Sequence, residues 1–290
     1  MDLTQMLERA MGHLRSGRPG EAEGLFRQVL LSEPNHPVAL HLLGVLSHQS
    51  GRSEAGLALI KRALEVQPGY VAAINNLGNV YRDLGRLEDA LASYRRALAI
   101  QPGHAPCHGN MGLVLQSLGR LDEAIASYRE AVALAPGAAG LHGNLAAALK
   151  ARGLLAEAIA SYSEAIALEP GSAPAHNSLG IALQKSGRVG EAAASYRRAL
   201  AIEPRFAEAH RNLGNALELL GDLAGAEASY RRALEIKPEF AGAAGSLGSV
   251  LLAQGKLEEG LRLEERGFGM VRFDAERGVG IHGGGGGAAH

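Results

Sequence analysis

Residues 71–104 read VAAINNLGNVYRDLGRLEDALASYRRALAIQPGH, two helical patterns separated by a glycine and closed by a proline. Ile74, Leu77, Val80, Tyr81 and Leu84 recur at helical spacing and predict a first amphipathic helix. Gly85 ends that helix, because glycine accepts the left-handed C′ conformation without a Cβ penalty. Leu87, Ala90, Leu91, Tyr94, Ala97, Leu98 and Ile100 then supply the apolar face of a second helix. Pro102 stops it, since proline has no amide donor and clashes with the preceding turn. Gly78, Ala90 and Ala97 leave room for neighbouring helices, and Tyr94 is the large knob that such small sites receive.

The same punctuation runs outward in both directions. Prolines stand at Pro34, Pro68, Pro102, Pro136, Pro170, Pro204 and Pro238, each 34 residues after the last. Glycines keep that interval from Gly17 through Gly85 to Gly255, and the knob recurs as Tyr128, Tyr162, Tyr196 and Tyr230. A third register holds small residues at Ala10, Gly44, Gly78, Gly112, Ala146, Gly180, Gly214 and Gly248. Self-similarity at this period predicts an all-α stack of helix-turn-helix units in place of two ordinary domains. Repeats starting near residues 3, 37, 71, 105, 139, 173, 207 and 241 account for nearly all of the 290 residues.

These residues resemble the tetratricopeptide repeat, with Ile74, Leu77-Gly78, Tyr81, Ala90, Tyr94, Ala97 and Pro102 at its signature positions. The resemblance covers Leu3 to about Asp274 and implies a right-handed superhelical solenoid over residues 1–274. Its ends depart from the pattern: Arg9 and Ala10 replace Leu-Gly in the first unit, and the last carries Gly260, Glu264, Gly267 and Arg272 at signature positions. The eighth unit is therefore expected to be a degenerate polar cap. Residues 275–290, ending GVGIHGGGGGAAH, offer almost no apolar side chains and are expected to be a disordered Gly-rich tail.

Composition narrows the function. Lysine plus arginine (29) nearly cancels aspartate plus glutamate (30), so no basic stripe for nucleic acid or an anionic membrane is expected. Tryptophan is absent and aromatics are 4%, which leaves few platforms for stacking nucleobases. The opening MDLTQMLERAMGHLRSG places Glu8, Arg9 and Arg15 where a signal peptide needs an apolar core. The longest uncharged stretch, Ala131 to Leu149, contains Pro136, His142 and Asn144 and belongs to the repeat, so no membrane span is expected. With Cys107 as the single cysteine, the expectation is a cytoplasmic protein without disulfide or CxxC metal site.

Candidate chemistry mostly dissolves into the repeat. His108, His142, His176 and His210 occupy one repeat position where an aromatic is wanted, a whole repeat apart, and read as packing histidines, not metal ligands. Ala244-Gly245-Ser246-Leu247-Gly248 looks like a serine-hydrolase elbow but falls inside a first helix. Gly278-Val279-Gly280-Ile281-His282-Gly283 matches GxGxxG without a surrounding βαβ unit. Glu88-Asp89 and Asp122-Glu123 favour second-helix N-termini through the dipole. Arg95-Arg96, Arg197-Arg198 and Arg231-Arg232 read as a solvated face with intrahelical ion pairs. No catalytic constellation converges, and no enzyme activity or cofactor is expected.

Asparagine is the exception. Asn76, Asn110, Asn144 and Asn212 precede the Leu-Gly position, with Asn75, Asn79 and Asn215 nearby. Asparagine is a mediocre helix former, so a helix-interior series wants a reason. A carboxamide donates and accepts, and can bond both groups of a peptide unit; ordinary inter-helix hydrogen bonding is the competing explanation. The series resembles the repeat array of O-linked N-acetylglucosamine transferases, where equivalent asparagines in the concave groove hold an extended polypeptide. That likeness also extends to arrays preceding bacterial glycosyltransferase and sulfotransferase domains. Leu42, Ser178 and Ser246 take this position elsewhere, so the uninterrupted run is Asn76 to Asn144. Chaperone-binding three-repeat domains resemble the fold too, but Gly140 and Asn144 stand where their third-unit cations belong.

The expected function is a non-catalytic scaffold binding an extended peptide or helix of other proteins through Asn75, Asn76, Asn79, Asn110, Asn144, Asn212 and Asn215. The alternative is the substrate-recruiting array of a glycosyl- or sulfotransferase whose catalytic domain is separate or missing. Weak self-association through stacked solenoid ends is a further expectation.

Overall fold

The computed structural model describes residues 2–268, 271–274 and 278–281. Sixteen helices lie among them: α1 (Leu3–Arg15), α2 (Pro19–Ser32), α3 (Pro37–Gln49), α4 (Ser53–Val66), α5 (Val71–Asp83), α6 (Leu87–Ile100), α7 (Ala105–Ser117) and α8 (Leu121–Leu134). Then follow α9 (Ala139–Arg152), α10 (Leu155–Leu168), α11 (Ala173–Lys185), α12 (Val189–Ile202), α13 (Ala207–Leu219), α14 (Leu223–Ile236), α15 (Ala241–Ala253) and α16 (Leu257–Phe268). Odd-numbered helices are the first helices of the repeats and even-numbered ones the second. The chain divides into two compact units, Met1–Ala148 and Leu149–His290. Within each, a second helix packs against its own first helix and against the first helix of the next repeat.

The turn inside a repeat is built as its glycine predicts. Gly85 sits at φ 75°. Its N–H donates to the Arg82 carbonyl at 2.9 Å, and the Arg86 N–H reaches the Tyr81 carbonyl at 2.8 Å. These bonds satisfy carbonyls that the end of α5 would otherwise leave bare.

The core is a series of knobs. Tyr94 and Tyr128 in the first unit, and Tyr196 and Tyr230 in the second, are fully buried or nearly so. Each lies against the small residue of its own first helix. A methyl group on Gly78 would stand 2.5 Å from Tyr94 Cε1, and one on Gly214 would stand 2.5 Å from Tyr230 Cε1. Phe26 is the equivalent knob in the first repeat. A buried phenol needs a partner for its hydroxyl. Tyr94 donates to Asn79 Oδ1 at 2.8 Å and Tyr230 to Asn215 Oδ1 at 2.7 Å. Where that asparagine is absent, a glutamine one turn on takes over: Tyr128 reaches Gln116 at 3.2 Å and Tyr196 reaches Gln184 at 3.0 Å.

The four repeat histidines close the turns between repeats. Nε2 of His108, His142, His176 and His210 donates to the carbonyls of Pro102, Pro136, Pro170 and Pro204 at 2.9, 2.8, 3.2 and 3.1 Å. Each ring thus caps a proline-ended helix, and burial holds His210 below the usual histidine range. The arginine pairs serve two purposes. Arg231 and Arg232 form intrahelical ion pairs with Glu227 and Glu235, while Arg96 donates to the Pro68 carbonyl at 2.6 Å.

The last repeat differs from the expected polar cap. Gly248 and Gly260 let α15 and α16 approach closely, yet Leu257 and Leu261 on α16 are 63% and 43% exposed. Polar substitution at the knob did not extend to the outward positions of α16, so apolar surface persists there. Beyond it, β1 (Val271–Asp274) pairs antiparallel with β2 (Gly278–Ile281), in the register Val271↔Ile281 and Phe273↔Val279. Gly278–Ile281 falls within the stretch expected to be a disordered tail, and that expectation is corrected for these four residues. Apolar residues alternate at period two in both segments, which the glycine count had masked. Residues 275–277 and 282–290 of that tail lie outside the described residues.

Candidate functional site

Seven asparagines were singled out by sequence, and the first helices place them in a repeating relation. In three adjacent pairs of repeats, the sixth residue of a first helix reaches back to the fifth residue of the preceding one. Asn76 Nδ2 lies 2.8 Å from His41 Nε2. Asn110 Nδ2 donates to Asn75 Oδ1 at 3.1 Å, and Asn212 Nδ2 donates to Asn177 Oδ1 at 3.0 Å. The matching position before Asn144 is Gly109, which has no side chain, so this rung cannot form. Asn79 and Asn215 receive the knob hydroxyls already described.

In the first unit these bonds join into one chain. An amide nitrogen only donates, so His41 Nε2 must be the acceptor from Asn76 and the proton sits on Nδ1. That nitrogen faces Tyr70 Oη at 3.1 Å, with the two rings edge-on. Asn79 Nδ2 donates to Asn76 Oδ1 at 3.2 Å, which links the imidazole through two carboxamides to Tyr94. Burial pushes His41 down to about 4, so the ring stays neutral at physiological pH. Asn75 also accepts from Cys107 Sγ at 3.3 Å, and burial raises that thiol to about 11. Cys107 is therefore an inert core residue.

Asn76 and Asn79 open onto a cavity of about 440 Å³ on the face shared by α3 and α5, with Val45, His48, Arg82 and Asp83 around them. His48 Nε2 is 2.8 Å from Asp83 Oδ2, and Arg82 pairs with the same carboxylate at 2.9 Å. Partial burial works to raise the Asp83 carboxyl, but the His48 and Arg82 hydrogen bonds outweigh it and hold it below the usual carboxylate range. Ser53 Oγ lies 3.0 Å from His48 Nδ1, which puts serine, imidazole and carboxylate in sequence. Asp83 is 41% exposed and already neutralised by Arg82. It lacks the buried, unshared charge that orients a catalytic imidazole. The Ser246 elbow sequence lies in mid-helix on α15, without the strand-to-helix turn that such a nucleophile needs.

His41, His48, Arg82 and Asp83 escaped the sequence reading. Their signal is positional: they stand on the first helices beside the asparagines, at positions whose residue type varies along the repeats. Among the described residues no group of three or more potential ligands could hold a metal ion. No described helix is long and apolar enough to cross a membrane.

Comparison with known proteins agrees with the architecture. Family models described as tetratricopeptide repeat match residues 35–102, 70–137 and 177–239, and one described as TPR repeat matches residues 148–187. Among curated proteins no match was found. Among solved structures, MamA is 26% identical with a TM-score of 0.55, covering 56% of this chain and 95% of its own. YrrB, described as a TPR protein with an unusual peptide-binding site, is 21% identical with a TM-score of 0.58, covering 68% of this chain and 98% of its own. The C-terminal part of a TPR repeat-containing protein from Cytophaga hutchinsonii is 15% identical with a TM-score of 0.67, covering 83% and 99%. Matched over more than half of its length by these models, the chain belongs to the tetratricopeptide repeat family.

Proposed function

We propose that this protein is a non-catalytic interaction scaffold, whose first-helix face holds an extended peptide or helix of a partner protein. The observation that carries this reading is the open cavity over Asn76 and Asn79, where carboxamides are fixed in place by neighbours and keep bonding capacity to spare. Asn76 spends one amide hydrogen on His41, and Asn110 spends one on Asn75; the second hydrogen of each is available to a peptide carbonyl. Such donors are pre-positioned, so little ordering accompanies binding on the receptor side. YrrB, alike in fold, is described as carrying a peptide-binding site, which illustrates what this architecture accommodates. The inert Cys107 thiol fits a reducing, cytoplasmic setting.

The test is selection from a displayed library of random peptides against the immobilised full chain. Enriched peptides are then titrated against the wild type and against the combined Asn76→Ala, Asn110→Ala, Asn144→Ala variant. The expected outcome is enrichment of related sequences and a loss of affinity of about tenfold or more in the variant, with helicity retained by circular dichroism. Absence of any enrichment over an unrelated helical protein contradicts the scaffold reading.

A further inference from the structure

The outward face of α16 is left without the cover that its repeat equivalents receive. Leu57, Leu91 and Ala193 stand at the position of Leu261 in earlier repeats, and all three are buried. Leu87, Leu155, Val189 and Leu223 stand at the position of Leu257 and are half-buried. Each belongs to a second helix that packs against the first helix of the next repeat. Among the described residues no first helix follows α16, and Leu257 and Leu261 are 63% and 43% exposed. Four residues apart, they lie on one side of the helix. They adjoin an open depression of about 650 Å³ bordered by Lys256, Leu257, Glu258, Glu259 and Arg262.

The first helix of the array is built differently. Among the described residues Met11 is the only large apolar side chain exposed on α1. Arg9 is exposed where Leu43, Leu77, Leu145, Leu213 and Leu247 are buried in later repeats. Seating α1 of a second molecule on α16, in the way first helices pack inside the array, would put that guanidinium in the place of a buried leucine. Desolvating an unpaired charge opposes such head-to-tail stacking. The N-terminal end is blunted and the C-terminal end is not.

Charge then selects how two C-terminal ends meet. Glu258 and Arg262 flank the leucines, and both are exposed. They are equally spaced about Gly260. Two copies of α16 set antiparallel about a twofold axis beside Gly260 therefore place each Glu258 opposite the Arg262 of the other copy. The same setting brings each Leu257 next to the other copy's Leu261. A contact in which residue i meets j and j meets i closes on itself, and so stops at two copies.

We propose that the chain forms a homodimer through α16, in which Leu257 and Leu261 of each copy cover those of the other and Glu258 pairs across the axis with Arg262. The interface uses second-helix residues alone, so it stands or falls independently of the scaffold reading.

The experiment measures the mass of the full chain by sedimentation equilibrium over about a hundredfold range of concentration. The wild type is expected to pass from monomer to dimer and to stop there. Leu261→Glu is expected to weaken the dimer by about a hundredfold, and Glu258→Arg or Arg262→Glu alone by about tenfold. An equimolar mixture of those two charge variants is expected to recover dimers, because opposite charges then face each other in the mixed pair. Met11→Glu is expected to change nothing. Circular dichroism checks that each variant, altered at an exposed position, keeps its helicity. A wild type that stays monomeric at every concentration overturns the inference. So does a dimer that Leu261→Glu leaves intact, or a mixture that associates no better than its components. Oligomers that grow past two and dissolve with Met11→Glu overturn it in favour of head-to-tail stacking.

Discussion

The two compact units share a frame and differ in what their first helices show. In Met1–Ala148 the polar groups of α3, α5 and α7 are bonded to one another, from Tyr70 through His41, Asn76 and Asn79 to Tyr94. Even its charged pair, Arg82 and Asp83, is internally matched. In Leu149–His290 one rung is present, Asn212 to Asn177, and Arg211 beside it keeps its Nε buried without a hydrogen-bond partner. The repeat therefore fixes packing, while the side chains that packing does not claim are free to diverge. A solenoid can specialise one stretch of its face without disturbing the next.

The largest effect expected is one that should not separate the units. Valine at Gly78 or at Gly214 drives a side chain into the knob tyrosine and should destabilise by about 3 kcal/mol or more in either place. Urea unfolding of Gly78→Val and Gly214→Val would break the shared-frame claim if one proved neutral.

Acidification should separate them. His41 is neutral in the fold with its value near 4, while an unfolded chain protonates near 6.5. Its contribution is complete above pH 6.5 and is lost as pH falls towards 4, by about 2 to 3 kcal/mol. The Asn177 position in the second unit does not titrate. His41→Gln should flatten this part of the stability curve, measured by chemical denaturation across that range; an unchanged slope would show that the imidazole is not held neutral.

The rungs themselves sharpen the comparison. Asn212→Leu strips the acceptor Asn177 of its partner and should destabilise by about 1 to 2 kcal/mol. Asn110→Leu should have a smaller effect, because Asn75 keeps its contact with Cys107. Thermal melts of the two variants would show the order.

The fold was legible because every architectural residue recurs. Pro102, Gly85, Gly78 and Tyr94 each have equivalents one repeat away, so periodicity alone locates the turns, the small sites and the knobs. The site was only half legible for the converse reason. Asn76, Asn110 and Asn212 repeat and were found, but their inter-repeat bonds depend on which residue stands at His41, Asn75 and Asn177, and that residue changes. Asn79 and Asn215, expected in the groove, also accept the hydroxyls of buried tyrosines, a demand visible only once the knob is seated. The hairpin of β1 and β2 was hidden by glycines that dilute a period-two pattern.

The most direct test of the account is to map where a selected peptide lies on the full chain. A peptide enriched from the random library and carrying a benzophenone at its centre can be photocrosslinked and the adducts located by peptide mass spectrometry. The account predicts adducts on α3 and α5, around Val45 and Asn79, that disappear in the combined Asn76→Ala, Asn110→Ala, Asn144→Ala variant. Adducts confined to the second helices would contradict it.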